Sequence, residues 1–165
     1  MSCPGVTLGS TGDRAPVPTG VSLDSYDAWL ADFRRRLALH DAGVAALARD
    51  LSLRTGWTVR AVGTEEFSAP PETAGQPPDV LCERGATRPL CFEVELPETL
   101  VRRATVARLR ALADTGWEPR VVLVAAPAQH ERHIGEARRM LHRAGIPLDV
   151  AAIAPEEATI TGADW

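Results

Sequence analysis

The fold of this chain is decided by one stretch, which reads Pro89-Leu90-Cys91-Phe92-Glu93-Val94-Glu95-Leu96. Apolar and acidic residues alternate along it with a period of two, which predicts a β-strand with apolar side chains on one face and both glutamates on the other. At a rise of about 3.3 Å per residue the two carboxylates stand roughly 7 Å apart. At an effective dielectric constant of about 20 they repel each other by about 2 kcal/mol. Water offsets this repulsion on a surface strand, whereas a strand inside a sheet needs a proton, a basic partner or a bound cation.

The residues before this stretch predict a β-hairpin. A shorter apolar run over 77–83 is separated from it by the polar, glycine-containing loop 84–88. If the loop has five residues, the numbers of two residues that pair across the hairpin add up to 172. Asp79 and Glu93 are such a pair, so they are expected to lie directly opposite each other. Cross-strand partners share a face, which brings Asp79, Glu93 and Glu95 into one acidic cluster. A register shift of one residue would break the cluster, and loop chemistry alone does not fix the register.

The residues after the stretch predict that the strand is buried. Pro97-Glu98-Thr99 is a suitable helix start, and apolar residues recur at helical spacing until Gly116. A nearly continuous apolar run follows over 120–126, which is typical of a strand covered on both faces. Strand, helix and strand in succession predict a parallel crossover, so the acidic strand should lie inside the sheet or along a cleft.

Periodicity supplies the other elements. Two helical stripes, over 26–39 and 44–53, precede an alternating strand at 57–62, and a further helix and strand are predicted at 130–144 and 148–153. The predicted order is therefore αβββαβαβ, an α/β fold with a mixed sheet.

The domain organisation follows from composition along the chain. Residues 1–20 are rich in Gly, Pro, Ser and Thr and predict a flexible N-terminal arm. We expect a single α/β domain over 21–155, with a proline-rich, acidic flap at 63–78. Residues 156–165 are expected to form an acidic tail.

Charge and composition limit the classes of function. The chain of 165 residues has a net charge of −4, and all 18 of its basic residues are arginine, so no lysine is available for catalysis. No overall positive field draws it to nucleic acid, and such contacts would need a local basic patch. No apolar run is long enough to cross a membrane and no leader pattern is present, so the expectation is a soluble, cytoplasmic protein without membrane contact.

In this order of elements, Pro78-Asp79 at the second strand and Glu93-Val94-Glu95 in the third resemble the PD-(D/E)XK nuclease superfamily. The resemblance covers residues from about 40 to 153 and rests on a short, degenerate motif. It implies the restriction-endonuclease-like fold, a three-layer core around a mixed sheet. Asp79 matches the first half of the motif, and Glu93 matches its second acid. Glu95 stands where the superfamily usually has lysine, although some restriction enzymes carry an acid there.

The resemblance implies metal-dependent hydrolysis of phosphodiester bonds, as in a DNA endonuclease. Asp79 and Glu93, with the carbonyl of Val94, would bind Mg²⁺ or Mn²⁺, and carboxylate oxygen is what such hard cations prefer. Glu95 would act as a general base or a second metal ligand. Arg102 and Arg103, with other arginines further along the same helix, would contact phosphates of the nucleic acid, which is expected to be DNA. A homodimer is expected, because one such domain cuts one strand.

Three alternatives remain open at the level of sequence. The glutamates could form the solvent-exposed face of an amphipathic strand. The arginines could likewise form a solvent-exposed helix face with salt bridges. The chain could also be a catalytically inactive module of the nuclease fold that binds nucleic acid or a protein partner. A small-molecule α/β enzyme is the third alternative, because a fold does not dictate a function.

Overall fold

The computed structural model describes residues 23–61, 78–85, 87–114 and 116–165. The expected N-terminal arm at 1–20 and nearly all of the expected flap at 63–78 lie outside these residues. Among the described residues, no helix combines the length and the apolar character needed to cross a membrane.

Four helices and six strands make up the described chain. In chain order they are α1 (Leu23–Ser52), β1 (Trp57–Ala61), β2 (Val80–Arg84), β3 (Leu90–Glu95), α2 (Pro97–Leu100), α3 (Arg103–Asp114), β4 (Glu118–Val124), α4 (His130–Arg143), β5 (Asp149–Ala154) and β6 (Thr159–Thr161). A short 3-10 turn, Pro127–Gln129, leads into α4.

The six strands form one mixed sheet in the order β1-β2-β3-β4-β5-β6. Strands β3, β4 and β5 are parallel to one another, whereas β1 with β2, β2 with β3 and β5 with β6 pair antiparallel. The predicted α/β class and mixed sheet are therefore confirmed. Strand β3 lies inside the sheet, between β2 and β4, and its first five residues are buried.

The hairpin has the predicted register. Val80 pairs with Phe92 and Cys82 pairs with Leu90, so paired residue numbers sum to 172 (80 + 92). The paired residues begin at Val80, and Asp79 directly precedes it; continuing the same register by one residue would place Asp79 opposite Glu93.

Helices cover both faces of the sheet. Leu47 and Leu51 of α1 pack with Phe92 and Val94 of β3 on one face. On the other face, α3 and α4 pack on β4 and β5, where Leu109 and Leu141 contribute to the buried cluster. The alternation in β3 therefore separates Phe92 and Val94 from Glu93 and Glu95 as predicted, and the packing has three layers.

Helix α1 runs without a break through Gly43, which joins the two stripes seen in the sequence. A Cβ at position 43 would lie 2.4 Å from Cγ2 of Val124 and 3.1 Å from Cγ1 of Val94. Glycine is needed here because the helix approaches β3 and β4 too closely for any side chain, not because the helix bends.

Two elements differ from the predicted order. The helix after β3 is divided into α2 and α3 by a turn at Val101 and Arg102. Residues 156–165, expected as an acidic tail, contain strand β6, whose Ile160 pairs with Ile153 of β5. Glu156 and Glu157 occupy the turn, and the β-branched residues that follow favour a strand. Trp165 packs edge-on against Phe92, with ring centroids 5.2 Å apart.

The chain divides into two compact units, Met1–Phe33 and Arg34–Trp165. In the first, Trp29 stacks on Tyr26 and on Phe33, with centroid separations of 6.0 and 5.6 Å. The second contains the whole sheet and the candidate site.

Candidate functional site

The acidic cluster lies at the edge of the sheet where the parallel strands end. Glu95 is the last residue of β3, while β4 ends at Val124 and β5 at Ala154. Because β2 is antiparallel to β3, Asp79 arrives at this same edge just before β2 begins. The crevice outside the carboxyl ends of parallel strands is the usual ligand position in open α/β sheets.

The carboxylate of Asp79 lies in the plane of the sheet. Its Oδ2 accepts a hydrogen bond of 2.8 Å from the backbone N–H of Val94. Backbone N–H groups of a strand point sideways toward the neighbouring strand, so this bond places the carboxylate between the two strands. The Asp79 side chain is 13% exposed in this position.

His40 reaches Asp79 from helix α1. Its Nε2 lies 3.4 Å from Oδ2 of Asp79. The hydrogen bond to Asp79 raises the pKa of His40 from its ordinary 6.5 to about 9, although partial burial opposes this shift. The imidazole is therefore protonated at neutral pH and provides a positive charge beside Asp79.

Glu93 is held on the opposite face by Arg108 of α3. Nη2 of Arg108 lies 3.1 Å from Oε1 and 3.0 Å from Oε2, and the Glu93 side chain is only 1% exposed. Burial raises the pKa of Glu93 well above its ordinary value, and the charge of Asp79 raises it further. Arg108 lowers the pKa of Glu93 but does not cancel this rise.

Glu95 is oriented by the first turn of α2. The hydroxyl of Thr99 donates to Oε2 of Glu95 and accepts a 3.1 Å hydrogen bond from the N–H of Leu96. Burial raises the pKa of Glu95, and the bond from Thr99 partly reverses that rise. A carboxyl with a raised pKa is better suited to proton transfer near neutral pH than an exposed one.

The three predicted acids thus lie together, and basic partners offset their repulsion. The positive charge of His40 lies beside Asp79, and that of Arg108 lies beside Glu93. A basic partner is one of the ways in which the repulsion between acids on an interior strand was expected to be offset. Within the part of the chain that the structure describes, no three His, Cys, Asp or Glu side chains are arranged to hold a metal ion.

The other predicted site residues have different positions. Val94 contributes its N–H to Asp79, and its side chain is buried against α1. Arg102 and Arg103 are exposed at the turn before α3 and at its first residue. Arg108, further along the same helix, is the arginine that pairs with the cluster.

His40 is the residue that sequence reasoning missed. It directly follows the first helical stripe, 26–39, and no spacing relates it to Asp79. The only available signal was its chemistry, a single imidazole on the face of a helix, and such residues more often have a structural role. Only the packing of α1 on the sheet brings it to the strand edge.

No protein-family model matches this chain, and a search among curated proteins finds no match. The function is therefore inferred from the geometry of the site.

Proposed function

We propose that this chain is a metal-assisted phosphodiesterase of the restriction-endonuclease type that acts on nucleic acid, with DNA as the substrate. One observation carries the proposal: Glu93 is buried beside two other carboxylates at the strand edge where ligands of α/β proteins bind. Burying a carboxyl among like charges opposes folding, and such groups are concentrated at functional sites.

The architecture supports the same proposal. Pro78-Asp79 directly precede β2, and Glu93 lies on the paired strand β3. Helices lie on both faces of a mixed sheet, as the restriction-endonuclease-like fold implies.

The donor set is compatible with Mg²⁺. This ion typically takes one or two protein carboxylates and fills its other positions with water and substrate phosphate, so three protein ligands are not required. Asp79 and Glu93 would hold Mg²⁺ or Mn²⁺. When bound, the ion would polarise the phosphate and lower the pKa of a water molecule.

The surrounding residues have distinct roles in this proposal. Glu95, held by Thr99, would accept the proton of the attacking water. His40, which is protonated at neutral pH, would attract the phosphate and donate a proton to the departing oxygen. A bound cation would take over the charge balance that His40 and Arg108 now provide.

Manganese binding tests the metal site directly. We expect Mn²⁺ to raise the melting temperature of the wild type, because an ion that binds only the folded state stabilises it. The rise should disappear in Asp79→Asn and persist in Glu98→Gln, a control that changes an exposed acid on α2. Hydrolysis of plasmid DNA should require Mg²⁺ and should be lost in Asp79→Asn. A wild type that shows neither response would contradict the proposal.

A catalytically inactive module of the same fold is the second candidate, and the pairing of the acids favours it. Arg108 contacts both oxygens of Glu93, Thr99 binds Glu95, and an acid stands where the superfamily usually has lysine. In this case the ion pairs are structural and the protein binds its partner without cleaving it.

Arg108→Ala distinguishes the two candidates. Without Arg108, Glu93 loses the positive charge that opposes the rise of its pKa, so we expect Arg108→Ala to have a lower unfolding free energy at neutral pH. If the acids form a metal site, Mn²⁺ should restore much of this stability, because the cation replaces the lost positive charge. If the pairs are purely structural, the variant should be equally unstable with and without Mn²⁺.

A further inference from the structure

The first half of α1 carries an apolar seam outside the core of the described residues. Apolar side chains recur there at alternating spacings of four and three residues, which is the pattern of the contact positions in a coiled coil. The seam consists of Tyr26, Leu30, Phe33 and Leu37. None of these four belongs to the buried clusters of the described residues, and Phe33 and Leu37 are 38% and 49% exposed. A contiguous apolar face of this kind marks a candidate interaction surface.

The seam continues the line of α1 that is buried in the core. Val44 lies seven residues after Leu37, and Leu47 and Leu51 follow at the same alternating spacings. Leu47 and Leu51 are buried with the apolar face of β3, and Val44 packs against them. One line of the helix therefore forms part of the core in its second half, and the same line presents exposed apolar side chains in its first half.

Stacked aromatic rings order this surface. The ring of Trp29 lies beside the seam, with its centroid 6.0 Å from that of Tyr26 and 5.6 Å from that of Phe33. Aromatic side chains are enriched at the centres of protein interfaces. Because the three rings already restrain one another, less side-chain entropy is lost when a partner covers them.

The charges beside the seam change sign along the helix. Within residues 23–37, three acids precede Phe33 and three arginines follow it: Asp24, Asp27 and Asp32, then Arg34, Arg35 and Arg36. Asp27 directly follows Tyr26 and Arg34 directly follows Phe33, so the two occupy equivalent positions beside the seam. Aromatic rings with arginines can bind single-stranded nucleic acid, but the nearby acids repel phosphate. A protein surface with charges of both signs is the better partner.

A helix with opposite charges in its two halves is complementary to a second copy of itself that runs in the opposite direction. If Leu30 contacts Phe33 of the second copy, Tyr26 contacts its Leu37, because the residue numbers of both pairs add up to 63. Asp27 then lies beside Arg34 of the second copy, and Arg34 lies beside its Asp27. Two helices running in the same direction would instead align acids with acids and arginines with arginines, which disfavours that arrangement.

We propose that the first half of α1 is a dimer interface, at which it packs antiparallel against the first half of α1 in a second copy of this chain. Every contact occurs twice, as a two-fold symmetric interface requires. The seam from Tyr26 to Leu37 is only about 18 Å long, so we expect a reversible dimer that dissociates at micromolar concentration. The inference concerns assembly and does not rest on the proposed activity.

Sedimentation velocity over a series of protein concentrations measures the association. We expect the wild type to change from the mass of one chain to the mass of two as its concentration rises through the micromolar range. Phe33→Asp places a charge in the seam and should stay monomeric throughout. Leu53→Asp is the matched control, because it places the same charge at an apolar residue that is 81% exposed just after α1, and it should dimerise as the wild type does.

Two outcomes of this experiment would overturn the proposal. A wild type that is monomeric at every concentration would show that the seam does not bind a second copy. A Phe33→Asp variant that dimerises as well as the wild type would show that the dimer forms through another surface. Circular dichroism of each variant checks that its helices are intact.

Exchanging the charges tests the direction of the helices. Asp27→Arg and Arg34→Asp each bring like charges together twice in the dimer, so each should raise the dissociation constant about tenfold. The double variant restores both pairs with their signs reversed and should dimerise as the wild type does. A double variant that dimerises no better than the single variants, or single variants that dimerise as well as the wild type, would contradict the antiparallel interface.

Discussion

His40 and Asp79 join the helix on one face of the sheet to the strand edge that carries the acids. Nε2 of His40 lies 3.4 Å from Oδ2 of Asp79, and Val94 donates to the same oxygen. Asp79 can accept both because its carboxylate lies in the plane of the sheet. This contact makes α1 part of the site as well as part of the core.

The His40 contact should make stability depend on pH. Its pKa is raised in the folded protein to about 9 from 6.5. The stabilisation is therefore complete below pH 6.5 and is lost as the pH rises through about 9. Because the side chain is 32% exposed, we expect a loss on the order of 1–2 kcal/mol after allowing for solvent screening.

Urea denaturation across this pH range measures the effect. The unfolding free energy of His40→Gln should fall less with rising pH than that of the wild type. His142→Gln, which changes an exposed histidine of α4, should follow the wild type. Parallel pH profiles for the wild type and His40→Gln would show that the contact contributes nothing to stability.

Replacing Glu93 with glutamine should stabilise the protein at neutral and alkaline pH. A raised carboxyl pKa means that the folded state holds the proton more tightly, so stability is lost as the pH rises above the ordinary value of 4.5. Glutamine keeps the shape of the protonated acid without its charge. At pH 8 and in the presence of EDTA, we expect the unfolding free energy of Glu93→Gln to exceed that of the wild type by on the order of 1 kcal/mol.

The difference between Glu93→Gln and the wild type should vanish at acidic pH, where Glu93 is protonated. Denaturation at both pH values checks this. A variant that is less stable at every pH would show that the ion pair with Arg108 outweighs the burial of Glu93.

Gly43→Ala should destabilise the protein because the new methyl group has no room. Its Cβ would lie 2.4 Å from Val124, so α1 would have to move away from the sheet. Overpacking of this kind costs about 1–3 kcal/mol. Thermal or urea denaturation should show the loss.

Gly135→Ala is the matched control, a glycine within α4 whose added Cβ would approach only the flexible end of Arg139, at 3.4 Å. It should stabilise the protein by up to about 1 kcal/mol through higher helix propensity. A destabilisation of similar size in both variants would contradict the close approach at position 43.

His130 should hold β6 on the sheet. It is 1% exposed, with Nδ1 2.8 Å from Oγ1 of Thr161 and Nε2 3.0 Å from the carbonyl oxygen of Ala125. A carbonyl oxygen only accepts, so Nε2 carries a proton and donates it to the carbonyl of Ala125. His130→Ala should lower the unfolding free energy by roughly 2–4 kcal/mol through a cavity and lost hydrogen bonds.

Thr161→Val removes only the hydrogen bond to Nδ1 of His130 and should lower the unfolding free energy by about 1 kcal/mol. Amide hydrogen exchange should accelerate in β6 before the rest of the sheet in both variants. Uniform acceleration across the sheet would show that His130 stabilises the whole fold and not this strand in particular.

Much of the fold could be predicted because its signals are local. The alternation in residues 90–95 predicts which side chains share a face, and the five-residue loop predicts the register in which Val80 pairs with Phe92. Strand β6 was missed because acidic residues mark its turn, while Ile160 and Trp165 acquire apolar partners only in the assembled core.

The sequence by itself determined that three acids from two adjacent strands meet at one edge of a mixed α/β sheet, because period and loop length act between neighbours in the chain. Only the tertiary structure decided which basic side chains offset the negative charges of these acids. His40 and Arg108 come from helices on opposite faces, and their distances to Asp79 and Glu93 depend on how closely each helix packs. That closeness depends on side-chain volume at contacts such as Gly43 with Val124, which only the assembled layers reveal.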